Sequence, residues 1–116
     1  MKIRLTIGGQ AFGATLQDSA ASRDFLSLLP LSLSLQDYAS TEKIADLPRK
    51  LSTTGAPAGT AAAAGDLTYY APWGNLAIFY KPHGHASGLL KLGSMDAGAA
   101  PFDVRGPVEV TIEAVD

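Results

Sequence analysis

Short segments of apolar–polar alternation, each cut off by glycine or proline, run through most of this chain and leave few folds open to it. Over residues 2–7, Ile3, Leu5 and Ile7 alternate with Lys2, Arg4 and Thr6. Period two with one polar face is the signature of a half-buried antiparallel strand. Gly8-Gly9 tolerates the positive φ angles of a two-residue turn, and Phe12, Ala14 and Leu16 then resume the pattern, so residues 2–17 read as a hairpin. Leu31, Leu33 and Leu35 alternate with Ser32, Ser34 and Gln36. Leu67, Tyr69 and Ala71 oppose Thr68 and Tyr70. Residues 76–80 are apolar on both faces and predict the most buried strand. Residues 89–93 give another, and 104–115 close the chain with Val108, Val110, Ile112 and Ala114 opposite Glu109, Thr111 and Glu113. About seven short strands joined by tight turns indicate a mainly β, closed or nearly closed antiparallel barrel. The strands lie too close in sequence for the crossovers of a parallel sheet.

One helix interrupts the strands. Asp18 or Ser19 offers a side-chain oxygen to cap it, Ala21, Phe25, Leu28 and Leu29 share one face, and Pro30 forbids continuation past Leu29. Between 37 and 65 the alternation breaks and predicts a long loop. Ile44, Leu47 and Leu51, at spacings of three and four, allow one short turn of helix within 38–51, limited by Pro48. Residues 53–65 have nothing to bury beyond alanine methyls and read as a mobile surface loop. Residues 82–88 read as a further loop, and 96–101 as small and flexible.

The 116 residues suit a single domain spanning 1–116. A net charge of −2 supplies no basic field for phosphates, so no nucleic-acid partner is expected. With no cysteine there is no disulfide, thiolate metal site or thiol nucleophile. The chain enters its alternation at once, without a leader-like apolar segment. No run approaches the roughly 18 apolar residues of a membrane helix. A soluble cytoplasmic protein with no membrane partner is the expectation; the oligomeric state is left open.

The aromatic residues gather in one stretch, 65–93, which holds the only tryptophan, Trp73, together with Tyr69, Tyr70, Phe79, Tyr80 and both histidines. Three segments, Glu42-Lys43-Ile44-Ala45-Asp46-Leu47-Pro48-Arg49, Gly65-Asp66-Leu67-Thr68-Tyr69-Tyr70-Ala71-Pro72-Trp73-Gly74-Asn75-Leu76-Ala77-Ile78-Phe79-Tyr80 and Gly88-Leu89-Leu90-Lys91-Leu92-Gly93, resemble the bacterial cyclophilin-like domain family. The resemblance spans nearly the whole chain and implies a closed eight-stranded cyclophilin-type barrel, often described only as a domain of unknown function. The alanine run 61–64 departs from it, where a more polar, proline-containing loop is expected. True cyclophilins, a more distant likeness, isomerise peptidyl-proline bonds with a Phe-His-Arg segment whose arginine polarises the peptide. This chain has no such segment: its arginines are Arg4, Arg23, Arg49 and Arg105. The leading expectation is therefore a binding domain without classical isomerase chemistry, and the alternative is a divergent peptidyl-prolyl isomerase.

Candidate site residues follow. Tyr70, Trp73 and Phe79 suit an aromatic groove for a peptide or a flat small molecule, with core filling as the competing role of the cluster. Glu42, Lys43 and Arg49 lie on a segment placed to rim it, and Glu42 and Arg49 are the residues expected to touch a ligand. His83 belongs to the opposite rim. His83 and His85 flank Gly84 at a spacing able to chelate a metal, but no third ligand is fixed among Asp66, Asp96 and Glu42, and the pair reads as a solvated loop. No metal and no cofactor is expected. There is no Gly-x-Ser-x-Gly elbow and no glycine loop opening a helix, so hydrolase and nucleotide chemistry have no motif here.

Overall fold

The computed structural model, which describes residues 1–115, turns the alternating segments into strands. Among the described residues the strands are β1 (Lys2–Ile7), β2 (Gln10–Leu16), β3 (Leu31–Tyr38), β4 (Glu42–Asp46), β5 (Gly59–Ala62), β6 (Asp66–Tyr70), β7 (Asn75–Phe79), β8 (His83–Ser87), β9 (Leu89–Met95) and β10 (Val108–Ala114). A helix, α1 (Ala20–Ser27), and a 3-10 turn (Ala100–Phe102) complete the elements. Eight strands close into one antiparallel barrel in the order β1-β10-β3-β4-β7-β6-β9-β2, while β5 and β8 pair separately as a two-stranded ribbon. The expected closed eight-stranded barrel is the fold.

Local chemistry explains the frame. In the β1–β2 hairpin Ile7 pairs with Gln10, and the two residues between them, Gly8 and Gly9, take φ of 56° and 79°. Those left-handed values give a turn whose twist matches the strands. Ser19 caps α1 by accepting from the Ser22 amide at 3.1 Å. Helix α1 packs onto the barrel through Ala21 and the fully buried Phe25, and the Ser22 hydroxyl donates to the Leu92 carbonyl at 2.9 Å. The alternating residues Ile3, Leu5, Leu16, Leu35, Tyr69, Ile78 and Ile112 fill the interior.

A second apolar cluster lies outside the barrel. Leu76 and Ile78 on β7 point inward with Tyr69 and Leu67, their partners on β6. Ala77 and Phe79, on the opposite face of the same strand, pack with Leu89 of β9 and Ala62 of β5. The β5–β8 ribbon covers this outer face, which is why β7 is buried at every position and why its sequence shows no alternation. An antiparallel sheet ordinarily leaves one face to water.

Several sequence expectations are corrected here. Residues 37–65 are not one long loop: β3 extends to Tyr38, β4 is a barrel strand and β5 is half of the ribbon. No helical turn forms within 38–51; Ile44 instead pairs with Gln36 and Ala77 across β4. The remaining irregular segment is tied down, with Leu47 and Leu51 buried and the Leu51 amide donating to the Tyr69 hydroxyl at 3.1 Å. Residues 53–65 contain a paired strand, and residues 82–88, expected as loop, contain β8. Their polar and small side chains conceal strands whose pairing is carried by backbone hydrogen bonds. Among the described residues no helix is long and apolar enough to cross a membrane.

Candidate functional site

Between the outer barrel wall and the ribbon the second cluster is incompletely filled, leaving a pocket of about 220 Å³. Cross-strand register builds its floor. Glu42 pairs with Phe79, Ile44 with Ala77, and Asn75 with Tyr70, so the outward side chains of three adjacent strands stand in neighbouring columns. Leu89 of β9 and Ala86 and His83 of β8 close the far side, and Tyr38 and Trp73 stand at the mouth.

The mouth is aromatic and rigidly arranged. Trp73 meets Tyr38 and Tyr70 edge-on, with ring centroids 5.5 and 5.3 Å apart and planes at 84° in both pairs. This is the favoured edge-to-face geometry of aromatic rings. Trp73 is nonetheless 54% exposed and Tyr38 43%, so large apolar faces stay open to solvent beside the cavity. Trp73 is placed by the turn between β6 and β7, in which the amides of Trp73 and Gly74 both donate to the Tyr70 carbonyl.

Three polar residues line the pocket. Asn75 is 3% exposed, and its Oδ1 is buried without a hydrogen-bond partner. A buried acceptor left unmade costs about 1–3 kcal/mol. The half-buried carboxyl of Glu42 lies above its ordinary range, chiefly because burial disfavours the charge, with His83 and a hydrogen bond from Thr41 pulling the other way. His83 packs on Phe79 at 5.6 Å between ring centroids, and its Nδ1 lies 2.7 Å from the Gly84 carbonyl. A carbonyl only accepts, so Nδ1 is the donor in this contact.

The structure brings Tyr70, Trp73, Phe79, Glu42 and His83 to one pocket. It does not bring Arg49, whose guanidinium is paired with Asp24 of α1 at 2.8 Å and bonded to Ser27 at 2.9 Å. Lys43 points to the barrel interior and is fully buried. Sequence reasoning missed Tyr38, Ile44, Asn75, Ala86 and Leu89. Asn75 had a readable signal, since a turn that returns β7 beside β6 sets it opposite Tyr70. His85 lies outside the pocket, Asp66 serves the Ala63 amide and Lys91, and Asp96 serves Lys2 and Thr15. No three potential metal-ligating side chains converge among the described residues.

Comparison with known proteins follows the fold. Residues 5–113 match a family described as the cyclophilin-like family. No curated protein matches the sequence. The solution structure of a hypothetical protein from Archaeoglobus fulgidus is similar, with a TM-score of 0.67 at 14% identity, over 99% of this chain and 95% of that one. A likeness at that identity concerns the fold.

Proposed function

The chain belongs to the cyclophilin-like family, and from that premise we propose that it is a binding domain whose ligand, a small molecule or a short peptide segment, docks between the barrel wall and the β5–β8 ribbon. One observation carries this reading. The pocket is walled by Tyr38, Tyr70, Trp73 and Phe79 and carries the polar side chains of Glu42, Asn75 and His83 among them. Apolar walls with a few convergent polar groups are the usual make-up of a ligand site.

Isomerase chemistry is less well supported. Peptidyl-proline isomerisation faces a barrier of about 20 kcal/mol, lowered in true cyclophilins with the help of an arginine. No arginine lines this pocket: Arg4, Arg23 and Arg49 are engaged by Glu113, Asp18 and Asp24, and Arg105 lies at a separate depression beside Asp37 and Tyr80. A family fold does not confer an activity without the site that performs it.

Backbone amide NMR shifts, followed during titration with a mixed set of proline-containing peptides and small aromatic metabolites, test the assignment. Binders are expected to move Glu42, Asn75, Phe79 and His83 together. Shifts confined to other surfaces, or none across the set, overturn it.

A further inference from the structure

The polar inventory of the pocket is one-sided, and from it we infer that the site selects organic cations: a compact apolar or aromatic body carrying an ammonium-type head seated against Glu42. This rests on the pocket being a binding site and specifies the chemistry of what it takes.

Glu42 contributes the oxygens of its carboxylate. A ligand that satisfies them must bring donors. No lysine or arginine lines the cavity, so the site has no countercharge of its own for Glu42 beyond the ring of His83. Burial already disfavours the Glu42 anion, and an arriving cation relieves that cost while an arriving anion increases it. The aromatic walls point the same way. Ring faces carry negative quadrupole density and attract ammonium groups, more strongly where the ion is desolvated. Trp73 stands perpendicular to both Tyr38 and Tyr70, and these rings form a corner rather than a flat stack. The volume of about 220 Å³ exceeds the roughly 150 Å³ that admits benzene in an engineered cavity, leaving room for a ring and a short charged arm.

Three probes of one skeleton and different charge decide the matter: phenethylammonium, 2-phenylethanol and phenylacetate, each titrated against the fluorescence of Trp73, the only tryptophan. The ammonium is expected to bind about tenfold or more tighter than the alcohol, and the carboxylate weakest of all. In Glu42→Gln the preference for ammonium over alcohol is expected to shrink to about threefold or less. Equal binding of ammonium and alcohol, or tighter binding of phenylacetate, overturns the cation assignment and leaves the pocket as a binding site. No response to any of the three overturns both.

Discussion

Lys43 is the residue that sequence reasoning placed least well. In the fragment Glu42-Lys43-Ile44 it looks like a solvated charge, yet its side chain is 0% exposed. Register is the cause: Lys43 pairs with Ile78, and Ile78 faces the barrel interior. The ammonium survives there because it is fully met. It donates to Asp37 Oδ1 at 3.2 Å, to the Val104 carbonyl at 2.6 Å and to the Gly106 carbonyl at 2.8 Å, and lies 5.3 Å from the Tyr80 ring centroid. The Tyr80 hydroxyl donates to the same Asp37 oxygen; burial, and then this bond, push the Tyr80 phenol up to about 12. Lys43→Met keeps the stem and removes the charge, leaving two carbonyls without their donor and Asp37 without its cation. A loss of about 2–4 kcal/mol is expected, read as a drop in the urea midpoint. A midpoint equal to wild type would mean that water replaces the ammonium at no cost.

At the scale of elements, the ribbon is the part on which the pocket depends and the barrel does not. Gly59 pairs with Ser87, and a Cβ at Gly59 would lie 2.3 Å from the Ala86 carbonyl oxygen, a hard overlap with backbone. Gly59→Val is expected to force β5 from β8, weaken binding of whatever ligand the pocket takes by about tenfold or more, and leave the eight-stranded barrel folded by circular dichroism. A variant that binds as wild type would show that the ribbon is no roof. The same element marks the border of what the sequence reveals. Strands β1, β2, β3 and β10 are legible because one face is apolar and the other polar. Strand β5 buries little more than Ala62 and β8 is largely exposed, so neither carries a hydrophobic period. The aromatic half of the site was legible for the opposite reason, since Tyr70, Trp73 and Phe79 are conspicuous wherever they stand. Arg49 does not join Glu42 at the pocket because nearness in sequence does not survive the turn after β4, beyond which Arg49 reaches α1.

For the molecule as a whole, electrostatic ties join segments distant in sequence, and they set the response to acid. Asp24 is held below the usual carboxylate range by hydrogen bonds from Arg49 and the Ser52 amide, Asp37 mainly by the Tyr80 hydroxyl, and Asp96 by Lys2 and Thr15. A carboxyl lowered on folding contributes stability that is present above its unfolded value, about 3.9, and is lost as pH falls through the folded value. Glu42, raised on folding, has the opposite sign: its cost appears as pH rises past the unfolded value, about 4.3, and is complete above the higher folded one. The expected profile is therefore a urea midpoint that falls below about pH 4, and in Asp24→Asn a shallower fall from a lower neutral value. Partial exposure of these pairs keeps each effect modest. Identical acid slopes for the two proteins would remove Asp24 from the account.

Strand β7 is one residue thick and serves two compartments, and this gives inherited or engineered variation a simple grammar. Even-numbered positions, Leu76 and Ile78, belong to the interior cluster; Asn75, Ala77 and Phe79 belong to the pocket side. The parity of a position therefore sorts its variants into those that disturb the barrel interior and those that reshape the wall beneath the ribbon.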